Sequence, residues 1–295
     1  MKRQILAGLA IAAGCISWAA QAAPAAAEAK PAKQLFGQVQ KAAPLPPASY
    51  GSYAKGCIGG AVQLPLDGPN WQGMRPSRNR HWGHPQLISF LQRFSADAKE
   101  KVNWPGLLIG DISQPRGGPM LTGHASHQIG LDADIWLDPA PDRRYSRDER
   151  ENLSATSVIA SRSEINPNIW STDHARLIRL AASYPQVGRI FVHPAIKKAL
   201  CDWAGNDRAW LNKVRPIYGH NYHFHVRLRC PAGQEGCKDQ APPPPGDGCD
   251  ASLDWWLSEK PYAKPDQPPK KPPQPPKPML LSDLPPACAT VLNAP

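Results

Sequence analysis

Apolar and polar residues alternate along two stretches of this chain, and each alternation predicts a strand with one chemical face. Over residues 131–137, Leu131, Ala133, Ile135 and Leu137 point one way while Asp132, Asp134 and Trp136 point the other. Over residues 223–230, Phe224, Val226, Leu228 and Cys230 take one face, and His223, His225, Arg227 and Arg229 take the opposite one. Elsewhere the period is helical. Leu87, Ile88, Leu91 and Phe94 predict a helix over 86–99, and Leu177, Ile178, Ala181 and Tyr184 predict another, with Asp173 as its cap. A third runs from Pro194 to a stop at Gly205 and turns Ile196, Leu200 and Trp203 inward. The apolar run 106–112, closed by the turn Arg116-Gly117-Gly118-Pro119, and the short run 189–192 read as further strands. The fold class expected is α+β. A small antiparallel sheet carries the polar faces, and helices pack on its other side.

The two ends of the chain follow different rules. Lys2 and Arg3, an apolar run from Ile5 to Ala20, and small residues at Ala20 and Ala22 read as a signal peptide over residues 1–22. A lipidated Cys15 after Ala-Ala-Gly is the alternative, disfavoured by Ala12, where a larger aliphatic residue is usual. Residues 23–45, rich in Ala, Pro and Lys, read as a tether, and 46–260 as the single domain. Residues 261–295 contain the run KPDQPPKKPPQPPKP, which forms neither helix nor central strand and is expected to be an extended strap.

Charge and cysteines set the compartment. The formal net charge of +10 falls to +8 once Lys2 and Arg3 leave with the signal. An exported basic chain suits an anionic cell wall or membrane surface, and no nucleic-acid motif is present. Removing Cys15 leaves Cys57, Cys201, Cys230, Cys237, Cys249 and Cys288, an even set that implies disulfides in an oxidising compartment. None forms a CxxC pair, so these cysteines are staples rather than metal ligands.

The candidate chemistry lies on the two polar faces. His223 and His225 stand roughly 6.5–7 Å apart along their strand. That is too far for both rings to bind one metal through bonds of about 2.0–2.1 Å, so one is the ligand and the other works beside it. His127 and Asp134, seven positions apart, converge only if the chain bends between them, and Gly130 permits the bend. Two imidazoles and a carboxylate form the ligand set of a catalytic Zn²⁺ with one position left for water. A structural metal site and an iron facial triad share that donor set. His81, His84, His174 and His193 read as ordinary core or surface residues. His124 and His220 flank the motif without a spacing that assigns them.

His-x6-Asp followed by His-x-His resembles the signature of the metallopeptidase group containing lysostaphin, the D-Ala-D-Ala peptidases and the hedgehog signalling domain. Within that group, SRNRHWGHP (77–85), GHASHQIGLDADIW (123–136) and VRPIYGHNYHFHVRLRCP (214–231) resemble the penicillin-insensitive murein endopeptidase family of Gram-negative periplasms. The resemblance implies that His127, Asp134 and His225 hold zinc and that His223 is the catalytic partner. His124 and His220 then line the cleft, as a further ligand or as contacts to the tetrahedral intermediate. The reaction implied is hydrolysis of D-alanyl–meso-diaminopimelyl crosslinks in peptidoglycan, extending to diaminopimelyl–diaminopimelyl bonds. A D,D-carboxypeptidase and a non-catalytic wall-binding scaffold are the alternatives. Arg75, Arg78 and Arg80 are the candidates for holding a stem-peptide carboxylate. The disulfides implied are Cys57–Cys288, Cys201–Cys249 and Cys230–Cys237. A second metal site is not expected, because SRSEINPNIW (161–170) lacks an Asp-x-x-His pair. The resemblance places the protein in the periplasm, outside the bilayer, and is compatible with a homodimer.

Overall fold

The computed structural model describes residues 30–263 and 277–295. The proposed signal peptide and most of the proline run lie outside them. In chain order, α1 (Ala32–Gly37) leads into β1 (Ala48–Ser52), β2 (Lys55–Gly59), β3 (Val62–Gln63), β4 (Asp67–Gly68), β5 (Trp71–Gly73) and β6 (Trp82–Gly83). Then come α2 (Pro85–Val102), β7 (Leu107–Ile109), β8 (Asp132–Trp136), α3 (Arg147–Asn152), α4 (Thr172–Ser183), β9 (Val187–Val192) and α5 (Pro194–Trp203). The chain closes with β10 (Val214–Pro216), β11 (His223–Leu228), α6 (Ala251–Leu257) and α7 (Ala287–Asn293).

Seven strands make the main sheet, in the order β10-β9-β11-β8-β7-β5-β4. Its centre, β9-β11-β8-β7, is antiparallel, while β10 and β5 join in parallel fashion. The sheet is thus longer and more mixed than sequence periodicity suggests, and the antiparallel pair β8/β11 carries the polar faces as expected. Ala133 and Ile135 of β8 and Phe224 and Val226 of β11 face one core with Leu87, Leu91 and Phe94 of α2 and Leu177 and Ile178 of α4. Phe94 meets Phe224 edge to face at 6.4 Å. Each of the larger of these side chains contributes about 1.5–3 kcal/mol on burial, which fixes the opposite, polar faces of β8 and β11 in place.

Several histidines serve the helices. His84 and His193 each precede a proline at the first helical position, and each Nδ1 accepts from the backbone N–H two residues on, at 3.2 Å. Burial lowers the pKa of both rings, which keeps them neutral acceptors. The cap of α4 is Ser171, not Asp173. Its N–H donates to His174 Nδ1 at 3.0 Å while Asp173 sits in the first turn.

The segment 30–45, expected to be a tether, is folded. Phe36 of α1 is 1 % exposed and packs with Ala43, Cys57, Leu284, Cys288 and Val291 in a second small core. Its alanines and prolines hide one aromatic anchor, too little for a periodic signal. The C-terminal end likewise finishes as helix α7 rather than extended strap. Arg116 donates to the carbonyls of Val291, Leu292, Ala294 and Pro295 there, satisfying groups that a helix end leaves open. The sulfurs pair as Cys57–Cys288, Cys201–Cys249 and Cys230–Cys237.

Candidate metal centre

Register decides which side chains meet. In the β8/β11 ladder His225 lies directly opposite Asp134, and Arg227 opposite Asp132. Directly opposed residues on one face bring their Cβ atoms within about 4.5–5.5 Å. The loop between β7 and β8 supplies the remaining groups, Asp111, His124 and His127. The bend that delivers His127 uses two left-handed residues, His127 itself (φ 67°) and Gly130 (φ 69°). A Cβ at Gly130 would stand 2.5 Å from Ile58 and 2.9 Å from the His84 nitrogen, so only glycine fits.

His127 is fully buried and fixed at two points. Its N–H donates to Asp132 Oδ2 at 2.9 Å, its Nδ1 pairs with the Ile112 carbonyl at 2.6 Å, and its Nε2 is left facing Asp134 Oδ1 at 3.4 Å. His225 Nδ1 stands 3.3 Å from the same Oδ1, and His223 Nε2 at 3.7 Å. His124 completes the ring. Its Nε2 meets Asp111 Oδ2 at 2.9 Å, and its Nδ1 lies 3.5 Å from Asp134 Oδ2. Ligand atoms of His124, His127 and Asp134 lie within 4.8 Å of one another.

The fit to a metal rests on atoms that nothing in the protein satisfies. His127 Nε2 and Asp134 Oδ1 are buried and have no hydrogen-bond partner, an arrangement costing about 1–3 kcal/mol per group. Four ligands on bonds of about 2.0–2.1 Å place donor atoms about 3.3 Å apart, and the Asp134 contacts of 3.3 and 3.4 Å match that spacing. The donor set therefore fits a tetrahedrally held metal ion. Burial alone would raise the Asp134 pKa. The surrounding histidines, led by His127 and His223, hold it well below the usual carboxylate range instead.

Two carboxylates that sequence reasoning left without a role position this ring. Asp132, fully buried, lies 3.0 Å from His225 Nε2 and accepts from Arg227 at 2.8 and 3.2 Å. Its place on the polar face of the alternation was visible, but its partners were not. Asp111 Oδ2 gathers His124, Arg78 at 3.1 Å and Arg80 at 2.9 Å.

His223 and His220 adjoin the ring rather than complete it. Their ring centroids are 4.7 Å apart, and His220 Nδ1 pairs with the Tyr218 carbonyl at 2.9 Å. Burial lowers the His223 pKa, and burial together with the neighbouring His223 lowers that of His220 to about 4.

The three arginines separate. A cleft of about 270 Å³ beside the ring is lined by Arg75, Arg78, Asp111, His124, Trp136 and His223, among others. Arg75 reaches it with its guanidinium tied to the carbonyls of Arg150 and Glu151 and lying 5.2 Å from the Trp136 ring. Arg78, half exposed, keeps donors free. Arg80, expected with Arg75 and Arg78 to hold a carboxylate, does not line the cleft. Its side chain is buried behind the cleft and bonded to Asp111 and to Thr122 at 3.0 Å, so it supports the wall and does not meet a ligand.

With this geometry in place, comparison with known proteins gives a consistent answer. Residues 49–293 match the family model described as penicillin-insensitive murein endopeptidase. Proteins of that name from Haemophilus influenzae and Yersinia enterocolitica are each 45 % identical to this chain. The first match covers 86 % of the chain and 84 % of the relative, the second 84 % and 86 %. A third, from Klebsiella pneumoniae, is 45 % identical over 83 % of the chain and 86 % of its own length.

Proposed function

Because the chain belongs to the penicillin-insensitive murein endopeptidase family, we propose that it is a zinc-dependent hydrolase of peptidoglycan crosslinks, exported to the periplasm by residues 1–22. The bonds it cleaves are D-alanyl–meso-diaminopimelyl, and by the same chemistry diaminopimelyl–diaminopimelyl. The observation that carries this reading is the pair of unsatisfied buried atoms, His127 Nε2 and Asp134 Oδ1, closed by His225 Nδ1. His127, Asp134 and His225 hold the metal and leave a fourth position for water, with His124 standing beside Asp134. The chemistry zinc supplies when bound is Lewis-acid activation of water and of the scissile carbonyl.

The chain's own residues do the rest. His223, kept neutral by burial, takes the proton released on attack at Nε2 and passes it to the leaving amine. His220, beside it, lines the space where the tetrahedral intermediate forms. Arg78 offers its free donors to a stem-peptide carboxylate, and Asp111 holds both Arg78 and His124 in place. No acyl-enzyme is formed, so β-lactams find no serine to block.

Digestion of purified crosslinked muropeptide dimers, read by mass spectrometry, tests the reaction. Conversion of dimers to monomers is expected. Loss of a single D-alanine from an otherwise intact dimer would make the protein a carboxypeptidase, and an unchanged dimer would overturn the hydrolase reading.

The positioning of His225 has its own test. Asp132→Asn is expected to weaken zinc binding about 10–100-fold, measured by competition with a chromophoric chelator. The substitution also leaves buried Arg227 without its counter-charge, so the melting temperature falls and titrations belong well below it. Unchanged zinc affinity would remove Asp132 from the account of the site.

A further inference from the structure

A second cavity, of about 290 Å³, meets β11 at the end opposite the cleft described above. The cleft touches Tyr222 and His223 at the start of the strand, and this cavity touches Arg227 and Arg229 at its end, with His225 between them. Arg227 lies opposite Arg189 of β9, two residues along from the pair His225 and Phe191, so both arginines share the face that carries the histidines. The ladder shifts register between Arg227 and Leu228, and Arg229 lines the same cavity.

The three guanidinium groups differ in what they already hold. Arg227 is committed to Asp132 and to Gln240 Oε1 at 2.7 Å, above the Tyr53 ring at 4.1 Å. The Arg189 guanidinium makes one hydrogen bond among the described residues, to the Ala241 carbonyl, at 2.7 Å. Among the described residues neither Arg189 nor Arg229 has a carboxylate within ion-pair distance. Asp239, the one carboxylate lining the cavity among the described residues, accepts from the Tyr53 hydroxyl at 2.8 Å and from the Cys230 N–H at 2.7 Å. Burial and the adjacent Arg227 hold the Arg189 pKa below its usual value, a repulsion that a bound anion would relieve.

We propose that this cavity is a carboxylate subsite, where Arg189 and Arg229 take a free carboxylate of the crosslinked stem peptide while its scissile bond lies at the histidine ring. The subsite rests on the peptidoglycan reading and extends it. The run from His223 to Arg229 spans about 20 Å at about 3.3 Å per residue, a length a branched peptide dimer can follow with anionic ends in both recesses. Guanidinium groups suit that task because they meet planar carboxylates with two parallel hydrogen bonds.

The direct test titrates acetyl-D-alanine into the full mature protein, followed by nuclear magnetic resonance. Saturable binding is expected, weakened roughly tenfold by Arg189→Gln or Arg229→Gln, and absent for the carboxamide analogue. In parallel, KM for muropeptide dimers should rise roughly tenfold in the same variants with kcat kept, whereas dimers amidated at their free carboxyls should show no difference between variant and parent. Equal binding by parent and variants, or equal losses on acid and amidated dimers, would overturn the subsite. So would binding of inorganic phosphate without binding of acetyl-D-alanine. If arginine-dependent binding is seen but no dimer is cleaved, the subsite stands and the peptidase reading falls.

Discussion

Asp134→Asn is expected to abolish crosslink hydrolysis and to strip the protein of tightly bound zinc while leaving the fold intact. Asp134 Oδ1 is the atom on which His127, His225 and His223 converge, at 3.3 to 3.7 Å, and Oδ2 faces His124. The carboxamide has nearly the same size, so β8 and its core face are undisturbed. What changes is charge. A neutral group that can place an N–H donor toward the ring replaces an anionic acceptor, and the metal loses its only carboxylate ligand. Since the metal's chemistry is worth several kcal/mol, and each 1.36 kcal/mol is tenfold in rate, kcat/KM should fall at least about 10³-fold. Elemental analysis of purified protein, a dimer digestion and a circular dichroism spectrum check the three parts. A variant that retains one zinc and full turnover would show that the histidines hold the metal without Asp134.

Removing the Cys57–Cys288 disulfide is expected to be the most destabilising change away from the site. The bond closes a sequence separation of 231 residues and pins a small core of its own, α1 and α7 against β2. Loss of such a link typically costs about 2–5 kcal/mol, which for a domain of this size lowers the melting temperature by roughly 5–15 °C. The second core buries few large side chains, so the loss should appear first as local release of α7, whose end carbonyls Arg116 holds. Thermal unfolding and limited proteolysis of the Cys57→Ser/Cys288→Ser variant measure both effects. Identical melting curves would mean that packing and Arg116 suffice without the bond.

The sequence revealed most where a pattern repeats. Alternation over β8 and β11 placed Asp132, Asp134, His223, His225 and Arg227 on one face, and antiparallel register then brought Asp134 against His225. The spacing of Leu87, Leu91 and Phe94 was enough for α2. Strands of two or three residues, such as β4, β5 and β10, are too short to show a period, which is why the sheet looked smaller from sequence than it is. Asp111 went unassigned and Arg80 was assigned to a ligand rather than to Asp111 for a different reason. Their meeting depends on a loop path, and no local pattern encodes a contact between residues 31 positions apart. The same holds for the carboxylate cavity, where Arg189 comes from β9 and Arg229 from the chain just past β11. Phe36 and the final helix were hidden by composition, since alanine- and proline-rich ends resemble linkers unless one anchor side chain is seen to be buried.

In the proposed reaction a single metal held by His127, Asp134 and His225 does the chemistry. The most direct measurement strips the purified protein with a chelator, confirms that the metal is gone, and follows dimer cleavage as Zn²⁺ is returned in sub-stoichiometric steps. Activity should be absent at the start and rise linearly to a plateau at one zinc per chain. Full cleavage by the metal-free protein would show that hydrolysis does not depend on a metal at this site.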